Sequence, residues 1–387
     1  MKPCHLVALI FLGGTSVHAA EPIFRESLDA ATPEQGNVKL LTPTAVGDGR
    51  VGGAVLLERR TENLLREVSL QSPATDAWIL LDGGTIQQGH LTLPEGAAAR
   101  QVIPSLETKI AGVKAEGIYC FSLSARAAKG DTARIALSWD GAETESVKEF
   151  TVGREWQRIW IAARNGAGSG STTVTVRGVE GTVDVEKPQF EEGGTVPTSF
   201  LDSEVRGVSG LVWMPEENAF DQNKGTISFW IKPEWAGETM TGAKTLFQSS
   251  REELPDWKEM KSVIVLNAWL TRPEANDWQY GLNLRITDKA LKSTSLSVPL
   301  HELTKDWHHI ALTWDLSNPQ DGRAAIYIDG ELRASDDQIH SSGMEPATAV
   351  FFGQGGGGYL DGWLDEARIY NVELSANDVK VLSEAKE

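Results

Sequence analysis

Thirteen tryptophans are the largest store of recognition chemistry in this 387-residue chain. An indole offers an apolar face on which the apolar side of a pyranose can rest while nearby polar groups bond its hydroxyls. Trp160, Trp230 and Trp314 lie in apolar alternating runs and are expected in the core. Trp257 in ELPDWKE, Trp278 in EANDWQY and Trp78 after PATDA stand in polar sequence and are the candidate ligand-binding residues. Hydrolytic chemistry is harder to assemble. Cleaving a glycosidic bond takes two carboxyl groups flanking it, which on a strand means acids on alternate residues. ELPDWKE lacks that spacing and contains Pro255, and the adjacent Asp365 and Glu366 point to opposite faces of a strand. His308 and His309 are also adjacent, so their rings diverge and cannot chelate one ion together. The glycine run Gly355–Gly358 precedes a strand and no helix, which makes it a loop and not a phosphate cradle. No Ser-His-Asp set or Cys-His zinc spacing occurs, and the expectation is a protein without catalytic residues.

The elements that must position these residues are strands. Short runs of period two, separated by Gly, Asp, Asn and Pro, fill most of the chain, and a class of all-β, two antiparallel β-sandwiches (jelly rolls) with a short C-terminal helix, follows. In GTISFWIKPEW, Ile227, Phe229 and Ile231 share one face while Ser228 and Trp230 share the other. AAIYIDGEL reads as a hairpin, since Asp329-Gly330 supplies the positive φ angles of a tight turn. The period changes after Asn371. Ser375 and Asp378 form a capping-box pattern, and Val379 and Leu382 give the helix a small apolar stripe.

Composition narrows the setting. MKPCHLVALIFLGGTSVHAA has a basic start, an apolar run from Leu6 to Leu12 and small residues before the expected cleavage after Ala19, or after Ala20. This is a signal peptide over residues 1–20, placing the protein in the periplasm or outside the cell. The apolar run is too short to span a bilayer, and Cys4 precedes it whereas a lipidated cysteine would follow it. Removing the signal leaves Cys120 as the sole cysteine, so stability rests on buried apolar surface and not on disulfides. The formal charge of −18 disfavours nucleic acid, anionic membranes and, without a bridging cation, polyanionic sugars.

GTISFWIKPEW, WHHIALTWD, AIYIDGEL and GWLDEARIYNVELS, in that order, resemble the laminin G-like or concanavalin A-like jelly roll of secreted bacterial proteins. FRESLDA and RVGGAVLLE are similar to the opening of the same family, yet more than 160 positions separate them from GTISFW. The resemblance implies a discontinuous sandwich over 21–60 plus 203–387, with residues 61–202 inserted. TENLL and PQFEEGGTVPTSF, which bound the insert, resemble carbohydrate-binding-module-like jelly rolls. Inside it GIYCFSLSAR places Tyr119, Phe121 and Leu123 on one face and Cys120 on the other, without chemistry for the thiol.

Both resemblances imply a structural calcium ion at a sandwich edge. In the insert the family's acidic ligand positions fall on Gln71 and Glu186, the first a neutral amide, and in the laminin G-like part Asp361 and Asp365 are the candidates. Solvated loop acids are the alternative at each. Some glucanases and alginate lyases share the concanavalin A-like fold, and REEL and QIH match two alginate-lyase strands. The third, Tyr- and Lys-bearing strand is replaced by VFFGQGGGGYLDGW. The expected function is therefore non-catalytic binding of a polysaccharide or cell-surface glycan. A structural or assembly role at the cell surface is the alternative, and a polysaccharide-active enzyme of this fold the third.

Overall fold

The computed structural model describes residues 20–385 except 30–36, 42–44, 67, 72–76, 104–116, 141, 143–145, 165–171, 202–204, 237–239, 241–242, 251–260, 275–276 and 356–357; for 270–280 and 302 nothing is described beyond the backbone. The expected signal segment 1–19 and Trp257 thus lie outside the described residues. The fold is all-β, built of antiparallel sheets in two sandwiches with one short terminal helix.

The first sandwich faces an eight-stranded sheet against a seven-stranded one. In the larger sheet Lys224–Pro233 is flanked by His308–Asp315 and Gly362–Tyr370. Gly362–Tyr370 in turn pairs with Gly53–Leu57, Val55 opposite Leu364, and with Phe24–Glu26, Phe24 opposite Ile369. The seven-stranded sheet begins with Val38–Leu41 beside Gly210–Trp213 and runs through Ala349–Phe352, Lys244–Ser250, Val263–Glu274 and Asp277–Thr287 to Ser293–Pro299. Strands from the start of the chain thus enter both sheets, and Phe24, Val38, Val55 and Leu57 share one core with Ile227, Phe229, Leu266, Trp314 and Phe352.

Residues 65–190 enclose a separate core around Trp139, Tyr119, Phe121 and Phe190, between two five-stranded sheets. Tyr119 and Phe190 stack with ring centroids 5.4 Å apart, and Trp139 meets Phe190 edge-on at 5.3 Å. Trp78 belongs to this core at 4% exposure, which corrects the sequence reading of a surface residue. The polar stretch before it does not decide where the ring points; the cluster it packs into does.

Local chemistry explains the remaining elements. Asp329 and Gly330 take φ of 53° and 80° at the hairpin joining Gly322–Ile328 to Glu331–Ile339, where a two-residue turn needs both angles positive. The helix Ala376–Glu384 starts with a full capping box between Ser375 and Asp378. It buries Val379 against Ala311, Tyr327 and Tyr370 on the outside of the eight-stranded sheet. No helix among the described residues is long and apolar enough to cross a membrane.

Candidate functional site

Strand alternation sends one set of side chains from the seven-stranded sheet into the core and the other set outward. On Val263–Glu274, Ile264, Leu266 and Ala268 are inward and fully buried, while Asn267 and Trp269 face out. On Asp277–Thr287, Leu282, Leu284 and Ile286 are inward, leaving Gly281, Asn283 and Arg285 outward. Ser293, Ser295, Ser297 and Pro299 are exposed on the edge strand.

Register assembles these outward residues into rows across the strands. Trp269 lies opposite Gly281, and Gly281 opposite Pro299. The next row is Thr245, Asn267, Asn283 and Ser297. Gln248, Val265, Arg285 and Ser295 follow. Trp269 is 51% exposed, and its neighbour across the strand has no side chain to cover it. Along the amide row Ser297 Oγ donates to Asn283 Oδ1 at 2.5 Å, and Asn283 Nδ2 donates to the Gly281 carbonyl at 2.9 Å. Asn267 Oδ1 and Thr245 Oγ1 are shielded from solvent and make no hydrogen bond among the described residues, so the polar groups this face offers outward are those of Asn283 and Ser297. A bare indole beside amides and hydroxyls is a surface that can stack a sugar ring and bond its hydroxyls.

The sequence reading passes over Trp269. The signal was the alternation of Ile264, Leu266 and Ala268, which fixes 265, 267 and 269 on the opposite face. Trp278 lies within the strand Asp277–Thr287 and not in a loop, a correction that the polarity of EANDWQY hid. Trp314 is fully buried in the core. Trp230 is 5% exposed but sits outside the inter-sheet core, under the Arg50 guanidinium at 5.0 Å and edge-on to His309 at 5.2 Å.

A second polar face belongs to the insert. Trp156 lies under the Arg126 guanidinium at 4.5 Å with His90 edge-on at 5.4 Å, and Asp184 binds both Arg126 and Thr92. Trp160 is half-buried and donates its indole N–H to the Thr195 carbonyl at 3.1 Å. These rings are already engaged by the protein. A cleft of about 380 Å³ lined by Ser124, Arg158, Lys187, Glu58 and Glu234 separates this face from the first sandwich.

The proposed calcium ligands are occupied by other partners. Asp361 is buried; it accepts from Arg59 N at 2.6 Å and Lys244 Nζ at 2.5 Å, with Arg59 Nη1 at 3.4 Å. Burial opposes its charge, but Lys244 and Arg59 prevail and hold the carboxyl below the usual range. Asp365 Oδ2 accepts from Arg50 N at 2.8 Å and Val51 N at 3.0 Å, and burial pushes this carboxyl up to about 7. Glu186 stands 3.4 Å from the Lys187 ammonium, and exposed Gln71 bonds the Ser69 carbonyl. Among the described residues no three His, Cys, Asp or Glu side chains converge as a metal site, and these four residues do not fit a calcium ion.

Other titratable groups among the described residues are engaged by neighbours within the protein. Glu366 is buried, 2% exposed, near Arg368 and, at 3.6 Å, Arg25. His308 bonds Asp329 at 2.9 Å and the Thr304 backbone N–H at 3.0 Å, and His309 bonds Ser228 at 2.8 Å. Burial holds His309 down at about 4 and the Cys120 thiol far above its usual value.

No curated protein matches the sequence. Among solved structures the chain is similar to the binding domain of botulinum neurotoxin serotype D, at 18% identity over 46% of this chain and 40% of that one, with a TM-score of 0.34. It is also similar to the serotype D ligand-binding domain in complex with N-acetylneuraminic acid, at 19% identity over the same shares and with the same score. A native heptameric SAP-like pentraxin from Limulus polyphemus is 17% identical over 42% of this chain and 70% of that one, with a TM-score of 0.31. The chain spans about two fifths of the toxin domains it matches. Residues 206–380, a little under half of the chain, match the model of the concanavalin A-like lectin/glucanases superfamily.

Proposed function

We propose that the protein is a non-catalytic glycan-binding protein whose ligand rests on the outer face of the seven-stranded sheet. The observation that carries this reading is Trp269, half exposed opposite Gly281 and one register step from Asn267, Asn283 and Ser297. An exposed indole this large costs free energy in water unless something covers it. Pyranose stacking does so while the side chains of Asn283 and Ser297, which reach the surface, take over hydroxyl hydrogen bonds otherwise made by solvent.

A glycan array probed with the wild type and Trp269→Ala tests the proposal. Signal on at least one glycan class, reduced about tenfold or more by the substitution, is the expected outcome, since roughly 1.4 kcal/mol of lost stacking is a tenfold change. Absence of binding to every glycan, or equal binding by the two proteins, would sink it.

A further inference from the structure

The outer face of the seven-stranded sheet is chemically graded from one end to the other. Toward one end, among the described side chains, stand Trp269, Gly281 and Pro299, which carry no charge. At the other stands Arg285, exposed, between Val265 and Ser295 in register, and the strand then enters a turn carrying exposed Lys289 and Lys292. Some exposed arginines lie against carboxylates: Arg134 against Glu149, Arg154 against Asp131 and Arg323 against Glu373. Arg285 does not, a property it shares with exposed Arg60, Arg66 and Arg100. Its Nε donates to Thr287 Oγ1 at 3.2 Å, and no described carboxylate pairs with it. The described outward positions of the last four strands, from Thr245 to Pro299, bear no acid in a chain of formal charge −18.

Spacing limits what can use both ends. Arg285 lies four residues beyond Gly281 on one strand, roughly 14 Å at about 3.4 Å per residue. That is longer than a single sugar ring, so a ligand reaching both must be an oligosaccharide. The amide row lies between, at Asn267, Asn283 and Ser297.

We propose, resting on the glycan-binding reading above, that the ligand is an anionic oligosaccharide, with a carboxylate or sulfate group held by Arg285 while a sugar ring rests on Trp269. A guanidinium offers parallel N–H donors matched to a planar or tetrahedral oxyanion. The protein's overall negative charge does not forbid this. Charges beyond a Debye length of about 8 Å are largely screened at physiological salt, and the charged group on the face itself is Arg285.

The test uses the whole protein on an array carrying neutral oligosaccharides beside uronate-containing, sialylated and sulfated ones, with wild type, Arg285→Gln and Trp269→Ala compared. Wild-type signal concentrated on acidic members, falling about tenfold or more in Arg285→Gln with its melting temperature unchanged, is the expected result; the uronate, sialylated and sulfated arms tell which anion is read. Wild-type binding to neutral members as strong as to acidic ones, or acidic binding indifferent to Arg285→Gln, overturns the anionic assignment while leaving the Trp269 platform standing. No signal from the wild type on any member overturns the glycan reading itself, and this inference with it.

Discussion

At the residue scale the exposed indole of Trp269 and the buried acids do different work. Asp365 has one carboxylate oxygen bonded to the Arg50 and Val51 amides and the other buried without a hydrogen-bond partner. Burial raises its pKa from 3.8 to about 7. The folded state therefore holds a proton that the unfolded chain has released, and the associated stability, full below about pH 4, is lost as pH rises through about 7. Glu192, raised to about 7 by burial and the nearby Glu62, has the same sign. His309, lowered from 6.5 to about 4 by burial, has the opposite sign: its stability is lost as pH falls through the same window. Asp365→Asn isolates one contribution, because its amide oxygen can still accept from both backbone N–H groups. Melting curves of this variant should match the wild type near pH 4 and show a gain on the order of 2 kcal/mol above pH 7; a gain independent of pH would contradict the assignment. Legibility at this scale was uneven. The adjacency of His308 and His309 pointed to diverging rings, and the structure gives them separate partners, Asp329 and Ser228. Trp78 was misjudged because its sequence neighbours are polar while the core cluster it belongs to, with Tyr119 and Phe190, is assembled from distant strands.

At the element scale period two carries most of the fold. The assignment of Ile227, Phe229 and Ile231 to one face and Ser228 and Trp230 to the other follows from spacing, and the structure packs the first three in the main core. Asp329-Gly330 and the Ser375 cap were legible for a different reason: each satisfies a local backbone demand that few residue types can meet. The binding face was not legible, because it exists only in the register between strands. Asn267, Asn283 and Ser297 are distant from one another in sequence and become one row when three strands pair. The partners of the calcium candidates were hidden for a related reason. Asp361 looks like a free loop acid in sequence, but tertiary pairing brings Arg59 and Lys244 onto it from positions 302 and 117 residues away.

At the scale of the whole molecule, Arg59 joins the two sandwiches. Its guanidinium lies 3.4 Å from both Glu191 and Asp361 and donates to the Val196 carbonyl at 3.0 Å, while Glu58 meets Arg206 at 2.9 Å beside it. Burial disfavours the Arg59 charge, yet Glu191 and Asp361 outweigh it and keep the group protonated. Replacing Arg59 with Met leaves acids buried without that cation, a loss of about 3–5 kcal/mol. Calorimetry should show it as a lower melting temperature and a separation of the two cores into distinct transitions; an unchanged single transition would mean the hub does not couple them. Holding the sandwiches together leaves the Trp269 face outward on one of them, and the account depends most on ligand reaching that face. A glycan titration followed through the indole N–H resonances tests this directly: the Trp269 signal should shift and saturate with ligand while those of Trp139 and Trp314 stay fixed. A saturating shift at Trp156 or Trp160 with Trp269 unmoved would place the ligand on the inserted sandwich and contradict the account.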